Sequence, residues 1–214
     1  MYESCIKRLL DLILSLAACV VLAIPMGIIA LWIKKDSPGP VFFKQRRVGR
    51  GKKCFNILKF RTMRGDTPHD VPTHLLKNAD SYITKSGAFL RRTSLDELPE
   101  LINILNGTLS VVGPRPLLVR YLPLYNAHQA RRHEVRPGFT GYAQVHGRNS
   151  ITWEEKFDLD VYYVDHITFL GDWKIIFQTV KTVLKREGIS SETAATMELF
   201  EGTPPAHEKE TVEV

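Results

Sequence analysis

Cysteine is scarce in this sequence. The 214 residues hold only Cys5, Cys19 and Cys54, set far apart. They are too few and too scattered for a disulfide framework, and none has the close spacing of a thiolate metal site, so the chain suits a reducing compartment. No internal repeat is present, and the length suits one domain of ordinary size. Two absences are local. Residues 12–33 carry no charged side chain, and residues 44–64 carry no acidic one.

What fills the second gap is basic. Residues 44–64 hold nine Lys or Arg, at 44, 46, 47, 50, 52, 53, 59, 61 and 64, while the end of the chain is acidic, with Glu192, Glu198, Glu201, Glu208, Glu210 and Glu213. The formal net charge of +6 conceals this asymmetry. A basic block beside an apolar segment points to anionic lipid headgroups, phosphorylated ligands or both. A solvated basic loop is the plainer alternative.

The apolar segment admits three readings. As a straight helix its 22 residues would reach roughly 33 Å, enough to cross a bilayer core. A secretory signal is the second, but Asp11 intrudes, the run is long, and no small-x-small cleavage site follows. The third is a re-entrant hairpin broken at Pro25, because proline removes a backbone donor and clashes with the preceding turn. Lys7 and Arg8 precede the run and Lys34 and Lys35 follow it. Basic flanks prefer the cytoplasmic side, and a hairpin keeps both there. Transmembrane helices also tolerate proline, so the straight span stays open.

Beyond Asp36-Ser-Pro-Gly-Pro40, residues 41–47 and 54–60 read as strands joined by a turn at Gly49-Arg-Gly51. Residues 67–80 read as a surface loop and 85–92 as a short helix. A stronger helix spans 94–106, ended by Gly107. Residues 111–116 read as extended and 118–133 as helical. Closing helices are expected over 153–166 and 173–186, and a flexible acidic tail after them. The fold class is therefore α+β, mainly helical. Its expected parts are a membrane anchor over 1–36, a globular domain with a β-hairpin over 37–190, and a tail over 191–214.

Chemistry is expected at Ser94-Leu-Asp-Glu-Leu-Pro-Glu-Leu101. Leu98, Leu101, Ile102 and Leu105 would share one helical face. Asp96 and Glu97 would sit in the first turn, which favours negative charge. Ser94 and Glu97 also fit a capping box, with Asp96 an ordinary first-turn acid. The rival reading is chemical. Arg91 and Arg92 precede the helix and Arg115 follows it in a proline-bounded turn, so a carboxylate there could attack the phosphorus of a bound diphosphate while a second holds magnesium.

The motifs Pro40-Val-Phe-Phe-Lys-Gln-Arg-Arg-Val-Gly49, Lys59-Phe-Arg-Thr-Met63, Thr93-Ser-Leu-Asp-Glu-Leu-Pro99, Val112-Gly-Pro-Arg-Pro116, Val135-Arg-Pro-Gly-Phe-Thr-Gly141 and Gln144-Val-His-Gly-Arg-Asn149 occur in that order. Together they resemble the bacterial sugar transferase family, the monotopic polyprenyl-phosphate phosphoglycosyl transferases, from about Lys7 to Gly188. The compact length resembles members of the phospho-diacetylbacillosamine type that serve protein glycosylation.

The resemblance implies a function. Asp96 matches the nucleophile that attacks the β-phosphate of a UDP-sugar and releases UMP, leaving an aspartyl phosphosugar for polyprenyl (undecaprenyl) phosphate to attack. Glu97 matches the magnesium ligand, and Lys59, Arg91 and Arg115 match basic positions near the phosphates. The family's anchor is a re-entrant helix whose break is commonly Ser-Pro; here Ile24 precedes Pro25. The implied partners are a UDP-sugar donor, polyprenyl phosphate, inner-membrane lipid at the cytoplasmic face, and downstream glycosyltransferases. An N-acetylated aminosugar donor is expected, with UDP-galactose or UDP-glucose as the alternative.

Weaker expectations complete the set. Arg136, Gln144, Arg148 and Asn149 lie in glycine-rich loops suited to a nucleotide or sugar. Asp160 matches an acidic position of the family, or forms a buried ion pair that holds its helix. His133 and His146 read as structural or exposed. Trp32 and Trp173 suit a membrane interface, though core packing explains Trp173 equally. Two rival classes remain: a tethered binder of anionic lipid or nucleic acid, and a scaffold in which the carboxylates only cap a helix. No nucleic-acid motif supports the former, so no nucleic-acid partner is expected.

Overall fold

The computed structural model describes residues 2–67, 79–147, 151–185 and 199–203. The described residues fall into two compact units, the first drawn from Met1–Arg46 and Phe55–Val111, the second from Arg47–Cys54 and Val112–Val214. Arg148 and Asn149, most of the expected loop over 67–80, and most of the expected tail lie outside the described residues.

Where a hairpin broken at Pro25 was expected, the apolar segment opens the first unit as a single long helix, α1 (Lys7–Asp36), with Pro25 inside it. Its residues divide by face. Leu9, Ile13, Leu16, Val20, Ile24, Ile28 and Leu31 recur at steps of three and four and are exposed, Ile24 to 77%. Lys7, Asp11, Ser15, Ile29 and Ile33 lie on the opposite face and are buried. An exposed apolar stripe of that length on one helix is a surface for a non-aqueous phase. Both ends of α1 bond within the first unit. Arg8 donates to the carbonyls of Ile104 (2.6 Å) and Leu105 (2.9 Å), and Asp11 accepts from Val111 N–H (2.9 Å). At the far end Asp36 accepts from Ser86 N–H and Oγ–H, each at 2.7 Å.

The hairpin forms as expected, from β1 (Phe42–Val48) and β2 (Cys54–Phe60). Next comes α2 (Lys85–Thr93), capped by Thr84 Oγ1, which accepts from Gly87 N–H. Gly87 permits a close approach: a Cβ there would lie 2.0 Å from the Thr62 carbonyl oxygen. The expected helix over 94–106 is corrected. Ser94 adopts a left-handed conformation (φ 57°) that ends α2, a 3-10 turn spans Leu95–Glu97, and α3 covers only Glu100–Leu105. The later start also moves the buried face, which is Glu100, Leu101, Asn103 and Ile104 rather than Leu98, Leu101, Ile102 and Leu105. Gly107, at φ +79°, follows α3 as expected.

β3 (Ser110–Val112), whose last residue opens the main stretch of the second unit, and β4 (Gly138–Thr140) form a second small sheet, of which β4 was not foreseen. The expected helix over 118–133 is broken. A 3-10 segment, Val119–Leu124, contains Pro123, and a short α4 (Ala127–Ala130) follows, with an Asn126–Gln129 capping box and a 3-10 turn over Arg131–His133 after it. After α5 (Tyr142–Val145), the closing helices are α6 (Trp153–Asp165) and α7 (Phe169–Lys185). The core of this unit is aromatic: Leu117, Tyr121, Phe157 and Phe200 are buried together, with Tyr125 and Trp153 against them. Phe200 belongs to the stretch read as a flexible tail, so at residues 199–203 the chain is packed instead.

Candidate active site

Strand β2 and helix α3 are joined through one buried side chain. Asn103 Oδ1 accepts from Leu58 N–H (2.9 Å), and its Nδ2 donates to the Asn56 carbonyl (2.8 Å). The amide thus takes the place of a third strand along β2. This docking brings Lys59 to the beginning of α3. Lys59 Nζ donates to Glu97 Oε1 at 2.5 Å and lies 3.4 Å from Glu100 Oε1. The Lys59 and Glu97 side chains are mostly buried, and that of Glu100 is only 1% exposed.

The capping box is not what holds Glu97. Ser94 makes no side-chain cap bond; its left-handed backbone serves α2, its N–H donating to the carbonyls of Leu90 and Arg91. The Glu97 carboxylate instead accepts from Lys59, and Asp96 stands beside it in the same 3-10 turn. Leu95 and Leu98, on either side of the pair, pack against Ile29, Ile33, Phe60 and Leu90.

The Lys59-Phe-Arg-Thr-Met63 motif directs successive side chains to separate tasks. Lys59 meets the carboxylates and Phe60 enters the core. Arg61 donates to the carbonyls of Ser37 (2.7 Å) and Pro38 (2.6 Å), fixing the chain that leaves α1. Thr62 Oγ1 accepts from Arg91 Nε at 2.9 Å, so the expected phosphate-binding Arg91 is held by this motif.

The remaining expected residues belong to the second unit. Arg115 lies in the proline-bounded turn, whose backbone is held from behind: Arg132 Nη2 donates to the Arg115 carbonyl at 2.7 Å. The same guanidinium pairs with Asp160 Oδ2 at 2.7 and 3.0 Å, both side chains almost wholly buried. Of the two readings offered for Asp160, the ion pair is the one observed. Burial pushes its carboxyl upward, opposed by the Arg132 charge. Lys156, one turn before Asp160, lies 4.9 Å from the Trp153 ring centroid. Burial pulls its ammonium down to about 8; Asp160 resists, and Arg115 and Arg132 add to the fall. Gln144 sits on α5, and Arg136 precedes β4.

Sequence reasoning missed Glu100, Asn103, Arg61 and Thr62 in the first unit, and Arg132 and Lys156 in the second. Two of these had a visible signal: Glu100 follows Glu97 by three residues, and Lys156 precedes Asp160 by four, both helical-neighbour spacings. Among the histidines, His133 is buried beside Tyr125, while His146 is exposed and stacked on Tyr142. Trp32 is exposed to 40% and touches Phe89; Trp173 lies between the Phe169 and Phe177 rings.

No group of three or more His, Cys, Asp or Glu that could hold a metal occurs among the described residues. Magnesium, however, is usually bound through one or two carboxylates together with substrate phosphates. Glu97 and Glu100 already converge on one cation, the Lys59 ammonium, so the donor chemistry fits.

A carboxylate pair in a short turn, packed on a helix with an exposed apolar face, suits a group-transfer enzyme that works at a membrane. The chain matches the bacterial sugar transferase family model over residues 2–186, and it belongs to that family. It is 49% identical over 200 residues to the uncharacterized sugar transferase EpsL of Bacillus subtilis (strain 168), covering 92% of this chain and 96% of EpsL. It is 43% identical to the exopolysaccharide production protein PSS of Rhizobium leguminosarum bv. phaseoli, covering 85% and 96% of the two chains. With the UDP-glucose:undecaprenyl-phosphate glucose-1-phosphate transferase of Xanthomonas campestris pv. campestris it shares 41% identity over 83% of its own length, but spans only 38% of that relative.

Proposed function

We propose that the chain transfers a sugar-1-phosphate from a UDP-sugar to polyprenyl phosphate, releasing UMP and beginning the assembly of a glycoconjugate at a membrane. The observation that carries this reading is the Asp96–Glu97 turn with Lys59 clamped on Glu97, within a chain whose relatives include a named glucose-1-phosphate transferase.

Two displacements at one residue account for the reaction. An Asp96 carboxylate oxygen attacks the β-phosphorus; the new O–P bond forms as the bond to the UMP oxygen breaks, and UMP leaves. A polyprenyl phosphate oxygen then attacks the same phosphorus, and the Asp96 carboxylate departs unchanged. Ping-pong kinetics follow. Glu97 would hold magnesium, which when bound supplies charge neutralisation at the diphosphate. Lys59 fixes the Glu97 carboxylate and brings a positive charge to the same place. Arg91, Arg115, Arg136, Gln144 and Arg148 are proposed contacts for donor or acceptor, each by its charge or hydrogen-bonding capacity.

Donor choice follows the relatives more than the length. PSS, named for exopolysaccharide production, is matched over 96% of its length, so a compact chain does not by itself indicate protein glycosylation. The galactosyl transferase CpsE of Streptococcus agalactiae serotype III (strain NEM316) is 41% identical over 200 residues. UDP-glucose and UDP-galactose are therefore the first donors to test, ahead of N-acetylated aminosugars. An anchor in the bacterial inner membrane with both ends on the cytoplasmic face is supported by the attachment of both ends of α1 to the first unit, since a helix crossing the bilayer would carry one end away.

The test is UMP release by the nanodisc-embedded protein with magnesium, undecaprenyl phosphate and a panel of UDP-sugars, beside Asp96→Asn and Glu97→Gln. Carrier-dependent UMP from one sugar, lost in both folded variants, is the expected result. Full activity in Asp96→Asn would exclude the covalent route.

A further inference from the structure

The membrane helix is built into the seat of the carboxylate turn. Its last third, through Ile29 and Ile33, forms a buried cluster with Leu90 and Phe60, and Leu95 and Leu98 pack on that cluster from either side of Asp96 and Glu97. Its final residue, Asp36, receives two short bonds from Ser86 at the start of α2. Helix α2 is then a rod of roughly 13 Å, nine residues at the helical rise. It ends at Ser94, the left-handed residue from which the turn begins. The opposite end of α1 caps the other flanking helix, with Arg8 on the last carbonyls of α3. The turn is thus gripped between two helices, each tied by a polar side chain to one end of α1. Arg8 and Asp36 flank the uncharged residues 12–33, and entry of that stretch into lipid requires neither of their bonds.

We propose that Asp36 is a positioning residue for the Asp96–Glu97 turn, holding α2 so that α1, seated in lipid, sets the angle at which the two carboxylates are presented. This rests on the reading of Asp96 as nucleophile. Asp36 does not touch the reacting atoms; it acts through Ser86, α2 and Ser94. Loss of the Asp36 carboxylate lets the start of α2 drift while the apolar cluster keeps the helix in place. The turn loosens, and alignment for in-line attack declines without loss of donor affinity.

The experiment compares wild type with Asp36→Ala in nanodiscs by two readouts. One is exchange of labelled UMP into the UDP-sugar that wild type uses, which reports the first displacement alone. The other is amide hydrogen exchange over residues 94–98, which requires no substrate. The expected result is a fall in the exchange rate constant of about tenfold, since small misplacements of a nucleophile cost one to two powers of ten. The KM for donor stays within about twofold on the same ground. Amide exchange at 94–98 accelerates, while the protein still floats with the lipid. Asp36→Asn, which keeps one acceptor oxygen, should recover part of both losses. Unchanged amide exchange at 94–98 overturns the proposal, as does a fall in melting temperature with the rate constant per folded molecule intact. If Asp36→Ala does not fold, Ser86→Ala, which loses only the hydroxyl bond, is read by the same criteria. A wild type inert towards every donor would defeat the proposed reaction, and the amide readout would still decide the coupling.

Discussion

Lys59 donates to Glu97 across 38 residues of chain, at 2.5 Å, and Glu100 lies 3.4 Å from the same ammonium. One cation thereby compensates two carboxylates, one of them almost wholly buried. Lys59→Met should cost stability, because it removes a positive charge from beside two carboxylates, one of them almost wholly buried. With the ammonium partly solvated, a loss of roughly 1–3 kcal/mol is expected. Adding Glu100→Gln should restore much of it, and urea unfolding of the four proteins in the cycle measures the coupling. Transfer activity should stay low in the double variant, because Glu97 remains without its clamp.

Ser94 separates the helix-cap reading of the turn from the observed one. Were its hydroxyl an N-cap, Ser94→Ala would cost about 0.5–2 kcal/mol. Its φ of 57° and the lack of a side-chain cap bond lead to a different expectation. Ser94→Ala should be nearly neutral, and Ser94→Gly should stabilise by roughly 0.5–1 kcal/mol, since glycine adopts left-handed backbone without steric cost. Thermal unfolding of both variants decides between them.

The hairpin, α2 and α6 were legible in the sequence because each carries its own local signals: alternation, Gly49-Arg-Gly51, Thr84 and the Thr152–Glu155 box. The helix over 94–106 was misread for a physical reason. Its pattern S-x-x-E is the same whether the serine begins one helix or ends another, and only the tertiary bond to Lys59 distinguishes them. Asp96, Glu97 and Lys59 were visible as candidates, and the fold brings Lys59 onto Glu97. Asn103 and Glu100 were not, because a buried polar residue in a helix looks like a surface one until the strand it serves is known. The break in 118–133 is marked in the sequence by Pro123 itself.

Arg132 and Asp160 make the corresponding test in the second unit. Arg132→Met should destabilise by roughly 3–5 kcal/mol, the cost of stranding a buried carboxylate, and Arg132→Met with Asp160→Leu should recover most of that loss. The double variant still lacks the donor to the Arg115 carbonyl. If Arg115 binds phosphate, KM for one substrate should rise in the restabilised protein; steady-state kinetics on both substrates identifies which.

His133 gives a pH dependence with a definite sign. Burial, then the charges of Arg132 and Lys52, pull its pKa from 6.5 down to about 3, so the folded protein keeps it neutral. The unfolded chain binds a proton that the folded chain refuses, which makes stability complete above pH 6.5 and progressively lost below it, down to about pH 3. Each pH unit in that window removes up to about 1.4 kcal/mol. Melting curves across the window should show this slope in wild type, and His133→Gln should flatten it.

Cys5 and Cys54 bracket α1 and can report the side of the membrane on which its ends lie. Cys5 is exposed just before the helix, and Cys54 is half-buried at the start of β2. Cys19, within the apolar stretch, is replaced by serine to remove background. In inverted inner-membrane vesicles an impermeant maleimide should label Cys5, and Cys54 more slowly; in right-side-out vesicles it should label neither. Labelling of Cys5 only from the outer face would mean a helix that crosses the bilayer. The attachment of Arg8 to α3 would then have to break on insertion, exposing Asp11 and the last carbonyls of α3 at a cost of several hydrogen bonds. That cost is why the same-side result is expected.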